Sequence, residues 1–151
     1  MKFYEVYTDP EYIESDGHHS IVQASDKRNP CKWKGLNSKK KRVVKYRVDG
    51  GIITSNVEHK CDCAVYVEGD IVYLIELKGA NYNHALEQIN ATIDKLIFAP
   101  KIETTSVNGR IVLTKGRVPG IRYSKESLLA KKLKKLNGSL NSKTRIYEEE
   151  I

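Results

Sequence analysis

The sequence predicts a single α/β domain over residues 1–151, with a central mixed β-sheet flanked by helices. Three observations predict it. Residues 64–67 and 71–77 are apolar runs rich in Val, Ile and Tyr, joined across Glu68, Gly69 and Asp70, which reads as a tight hairpin of two buried strands. The period then changes, and Ala85, Ile89, Thr92, Ile93, Leu96 and Ile97 recur at three and four, as on one face of a helix over residues 82–98. Residues 109–115 (GRIVLTK) return to a strand, and a helix between two strands implies a crossover that lays them parallel.

In chain order, residues 1–25 mix aromatics with acids. Asp9 and Pro10 suit a first helical turn, so a short helix is expected through Ile13 to Ser15, ended by Gly17. Residues 25–42 (SDKRNPCKWKGLNSKKKR) combine Asn-Pro, Gly and clustered Lys and Arg, which favour a basic loop. Either it is a solvated surface loop or it is a phosphate-contacting arm. In the second case Lys32, Trp33, Lys34, Lys39, Lys40 and Lys41 meet nucleic acid, the indole stacking on an unpaired base.

Residues 43–48 (VVKYRV) alternate as a strand with one buried face, and Asp49, Gly50 and Gly51 make a turn. Residues 52–57 are either a further strand or an irregular link. Asn81 is the candidate cap of the 82–98 helix, and Pro100 stops it. After the 109–115 strand, residues 116–120 form a loop. Ser124 heads a helix over 125–136, with Leu128, Leu129, Leu133 and Leu136 on one face and Lys131, Lys132, Lys134 and Lys135 mostly outside it. The acidic tail, 148–151, is expected to be frayed or tethered to a basic surface.

A chain of 151 residues is the size of one domain, able to bury roughly two thirds of its unfolded surface. Its 26 Lys and Arg outnumber 19 Asp and Glu, a formal charge of +7 that suits a polyanionic partner. Three cysteines, an odd number, and no signal-peptide pattern in residues 1–10 lead to the expectation of a reducing, cytoplasmic setting rather than a disulfide framework. No apolar run approaches the ~18 residues of a membrane span, so no membrane partner is expected.

Three charges interrupt the apolar hairpin: Asp62, Glu76 and Lys78. Side chains alternate along a strand, so Glu76 and Lys78 point the same way. Burying either without compensation costs several kcal/mol, and a divalent cation would supply the compensation. The plainer alternative is a same-face ion pair on an exposed strand, which Val72, Leu74 and Ile75 make hard to accommodate. His59, Cys61 and Cys63 look like a metal cluster, but Cys61 and Cys63 are spaced unlike a zinc knuckle and are expected in the core. His18 and His19 fit a polar loop as well as any chemical role.

Asp62, then Glu76-Leu77-Lys78 fourteen residues on, set in strand, turn, strand and helix, resembles the PD-(D/E)XK nuclease superfamily. Within that superfamily the chain is nearest in size to archaeal Holliday junction resolvases. The helical segment His84 to Gln88 is similar to the one in which many members carry a glutamine, and the likeness covers about residues 43–136. It implies a restriction-endonuclease-like fold and a Mg²⁺- or Mn²⁺-dependent endodeoxyribonuclease. In that scheme Asp62, Glu76 and the backbone carbonyl of Leu77 bind the metal, Lys78 assists the attacking water, and Gln88 holds the active-site face of its helix or reaches a phosphate.

The likeness also implies DNA as partner, a homodimer, and DNA contacts from the strand and loop carrying Arg110, Lys115 and Arg117. The sequence departs from the pattern in two places. Cys61 stands where the motif name has proline, and no glutamate lies between Asp16 and Asp49, so the early acid must come from Glu5, Glu11 or Glu14, with Glu14 preferred. A nucleic-acid-binding module that keeps the fold without turnover is the alternative, as is the narrower role of a junction resolvase.

Overall fold

The apolar runs of the hairpin are buried on both faces, which only a sheet covered on each side can provide. The computed structural model describes residues 1–26, 28, 30–77, 81–115 and 124–151. A short helix α1 (Phe3–Val6) is followed by strands β1 (Ile13–Gly17), β2 (Ile21–Ser25), β3 (Lys32–Leu36), β4 (Val43–Arg47), β5 (Cys63–Val67) and β6 (Ile71–Leu77). Then come helix α2 (Tyr82–Ile93), strand β7 (Ser106–Leu113), helix α3 (Ser124–Lys135) and strands β8 (Leu140–Thr144) and β9 (Ile146–Glu150).

Among the described residues, six strands form one sheet in the order β1-β4-β5-β6-β7-β8, and β2-β3-β9 form a second. β4, β5 and β6 are an antiparallel meander; β6 and β7 run parallel across the α2 crossover, as the helix between them requires. The mixed α/β architecture is the one expected from the sequence. The helices pack on one face, over Tyr46, Tyr66, Leu74 and Ile111. The other face, with Val43, Val65, Ile75 and Val112, is covered by the small sheet through Trp33 and Tyr147. No helix among the described residues is long and apolar enough to cross a membrane.

Local chemistry explains the elements that position the site. Gly69 (φ 99°) and Asp70 (φ 63°) turn the β5–β6 hairpin in the left-handed region that Gly adopts freely and Asp tolerates. Asn81 caps α2 by accepting the His84 amide at 3.0 Å. The helix runs on through a wider π turn, Asp94–Phe98, closed by the Ala99 amide on the Asp94 carbonyl.

Several expectations are corrected. Asp9 caps no helix at Ile13 to Ser15; its carboxylate accepts the Glu11 amide at 2.9 Å and the turn feeds β1, an edge strand paired with β4. Residues 25–42 are not one basic loop, because Lys32–Leu36 alternate out and in, with Trp33 and Gly35 buried. Residues 52–57 carry one isolated bridge at Ile53 and no strand.

On α3 the buried face is Leu129 and Leu133 with Leu136 beside it, while Leu128 is 67% exposed. Of the two expectations for the tail, the second holds: it is tethered to basic side chains rather than frayed. It is β9, parallel to β3, with Lys34 paired to Glu148 at 3.6 Å and Ser38 hydrogen-bonded to Glu150. The loop expected at residues 116–120 lies outside the described residues.

Candidate active site

β5 and β6 end side by side, and that arrangement places the two acids. Cys63 is the register partner of Ile75, so Asp62 and Glu76 are the next residues outward on adjacent strands. The Asp62 amide donates to the Ile75 carbonyl at 3.1 Å, so Asp62 and Cys63 both oppose Ile75. Two residues against one is the pattern of a bulge, and it interrupts the alternation just where the acid stands. Oδ2 of Asp62 accepts the Leu77 amide at 2.6 Å, which anchors that carboxylate one peptide bond from Glu76.

Glu76 is fully buried and shares the parity of Val72 and Leu74, which face the helices. Both carboxylates are felt by the neighbouring thiols. Burial first, and then the negative charge of Glu76 and Asp62, holds Cys61 well above the ordinary thiol range. Cys63 is raised in the same way, with Lys45 opposing. All three cysteines are buried and free, as expected of Cys61 and Cys63.

The segment leading into Asp62 is held by α2. Oε1 of Gln88 accepts the Lys60 amide at 2.8 Å and meets His59 Nδ1 at 3.1 Å. One turn on, Thr92 Oγ1 accepts the Cys61 amide at 2.9 Å and donates to the Gln88 carbonyl at 2.7 Å. Gln88 is therefore a buried anchor for residues 59–61. Thr92 has the same role and escaped the sequence reading, since a Thr on an apolar helix face gives no sign of the backbone it will meet.

The ammonium of Lys60 is turned inward beside it, donating to the carbonyls of Ser55 at 2.5 Å and Glu58 at 3.2 Å. His59 also contacts the α2 side chains His84, at 5.4 Å between ring centres, and Glu87, at 3.8 Å.

Other candidates go elsewhere. Glu14 occupies the β1 bulge, two strands from Asp62, and pairs with Lys45 at 3.5 Å. Lys78 and Arg117 lie outside the described residues. Trp33 is not a stacking residue: it is fully buried against Tyr73, and its indole N–H donates to Glu149 at 2.8 Å. Gly35 makes room for it, because a Cβ there would stand 2.6 Å from the indole Cη2.

Arg110 is no DNA contact either; it is buried, bonded to Glu149 at 2.8 and 3.0 Å and to the carbonyls of Gly109 and Ser139. Lys32, Lys39, Lys40 and Lys115 are exposed, with Lys34 and Lys41 half-buried.

No family model, curated protein or solved structure matches the chain. Two carboxylates and a peptide carbonyl are hard oxygen donors, the set that suits Mg²⁺ or Mn²⁺.

Proposed function

We propose that this chain is a metal-dependent nuclease that hydrolyses phosphodiester bonds in DNA. The observation that carries the reading is the Asp62–Leu77 hydrogen bond, which holds one carboxylate against the peptide that follows the other at the shared end of β5 and β6. The two acids stand where an antiparallel meander, β4-β5-β6, meets a parallel crossover through α2 to β7, and that setting supports the reading.

Asp62 and Glu76, with the Leu77 carbonyl, would hold Mg²⁺. A bound Mg²⁺ lowers the pKa of a ligated water and neutralises charge building on the scissile phosphate. Lys78, two residues beyond Glu76 in sequence, would be the group to orient a water held there and assist its deprotonation. Gln88 and Thr92 keep Asp62 in place by fixing the backbone before it. DNA reaches the site along exposed lysines, and cutting both strands of a duplex calls for two copies of the chain.

Binding without turnover is the second reading, and the pairing of Glu14 with Lys45 favours it, since the early acid is already engaged by an ammonium. The test is incubation with junction, duplex, flap and single-stranded DNA in Mg²⁺, Mn²⁺ and EDTA. Metal-dependent cleavage that disappears in Asp62→Asn and Glu76→Gln, while DNA binding persists, supports the nuclease; preference for the junction narrows it to a resolvase. Binding without cleavage on any substrate supports the second reading, and cleavage that survives both substitutions overturns the assignment of the acids.

A further inference from the structure

We propose that His59, His84 and Glu87 form a binding site for a d-block divalent cation of the zinc class, separate from the Asp62 and Glu76 acids. One ligand atom from each of the three side chains lies within 4.8 Å of the other two. Ligands around a tetrahedral zinc stand ~3.4 Å apart, as its ~2.0–2.1 Å bonds require, so closing the site takes about an ångström of side-chain rotation. His84 and Glu87 are three residues apart on α2 and so share a face, and His59 reaches them from the loop before β5.

The hydrogen bond to Gln88 fixes which nitrogen of His59 is left to a ligand. Gln88 Oε1 already accepts the Lys60 amide, and an amide oxygen only accepts, so His59 Nδ1 at 3.1 Å must carry a proton. In the neutral ring the lone pair is then on Nε2, the atom 3.8 Å from Glu87 Oε2. A lone pair facing a carboxylate is repulsive until a proton or a metal ion stands between them, so this pair of atoms can take either. An outer acceptor on the far nitrogen is also what fixes the ring of a metal-ligating histidine.

Two imidazoles and one carboxylate select zinc-like ions over Mg²⁺ or Ca²⁺. His59 is half exposed, which leaves a fourth position to water. Lys125 is paired to the other oxygen of Glu87 and competes for its charge. An ion here would clip residues 59–61 to α2 from outside, beside the Gln88 and Thr92 hydrogen bonds.

The full chain, stripped with EDTA, is titrated with Zn²⁺ by calorimetry and with Co²⁺ by visible absorption. One equivalent is expected to bind, with the spectrum of a low-symmetry site carrying nitrogen ligands. Affinity should fall at least about tenfold in each of His59→Ala, His84→Ala and Glu87→Gln. It should rise in Lys125→Met and stay unchanged in Asp62→Asn. All these positions lie at or near the surface, and circular dichroism checks that each variant folds. No saturable binding, or binding indifferent to both histidine substitutions, overturns the proposal. Loss of zinc binding in Asp62→Asn also overturns it, whatever the DNA-cleavage assays return.

Discussion

Gln88 on α2 accepts the backbone amide of Lys60 at 2.8 Å, so the helix that follows the two acidic strands also holds the segment that enters them. Gln88→Ala leaves a buried amide without that acceptor and is expected to destabilise the fold by about 1–3 kcal/mol. Thr92→Val should act similarly on the Cys61 amide. The two share one network, so the double variant should fall short of the sum. Urea denaturation of the four proteins measures this, and strict additivity would count against a shared network.

Two ion pairs on the β3–β9 side are expected to differ sharply in worth. Arg110 and Glu149 are 6% and 16% exposed at their side chains, and Glu149 also accepts from Trp33. Glu149→Ala strands a buried guanidinium and should cost about 3–5 kcal/mol. Lys34 and Glu148, at 31% and 52%, are largely in water, and Glu148→Ala should cost less than about 1 kcal/mol. Thermal and denaturant unfolding of the two variants should rank them in that order.

Lys39, Lys40 and Lys41 lie between β3 and β4, outside either sheet. If they meet phosphates, replacing all three by Ala should reduce the slope of log affinity against log salt by about 2–3 for duplex DNA. An unchanged slope would move the DNA path elsewhere on the surface.

Asp16 receives the Arg42 guanidinium at 2.9 Å through both oxygens, and that hydrogen bond, ahead of the Coulombic attraction, holds its carboxyl below the usual range. A depressed folded-state pKa stabilises the protein above the unfolded-state value near 3.8 and ceases to do so as pH falls through the folded value. Asp16→Asn should therefore flatten the stability curve on the acid side of about pH 4 and leave its slope near neutrality unchanged. Both side chains are partly exposed, so the effect is modest and shrinks with added salt.

Cys31, Cys61 and Cys63 are buried with their thiols raised, burial being the first cause in each. Thiolate is the reactive form, so the native protein at neutral pH should titrate slowly with an aromatic disulfide reagent, and all three thiols should react at once in denaturant. A single fast-reacting thiol in the native state would contradict this burial.

The meander, the α2 crossover and the parallel β6–β7 pair were legible because 63–77 and 82–98 carry strong, opposite periodicities over enough residues to leave one solution. The small sheet was not. Its strands are five residues long and dotted with Lys, Glu and Ser, so composition pointed to loops; the alternation in KWKGL, with Lys outward and Trp33 and Gly35 inward, was the signal that could have placed β3. Trp33 was assigned to DNA from its basic neighbours and Arg110 from the resemblance, and both found Glu149, a partner more than thirty residues away in sequence.

The sequence by itself determined the mixed α/β architecture and the placing of Asp62 and Glu76 at the ends of adjacent strands, because burial patterns and hairpin chemistry act locally. Tertiary structure alone decided which charges are engaged in the interior, that Gln88 and Thr92 carry the backbone before Asp62, and that His59 meets His84 and Glu87. Those contacts join residues far apart in the chain. A side chain's hydrogen-bond partner is set by what packing brings within three ångströms of it, and no pattern of neighbours along the sequence encodes that.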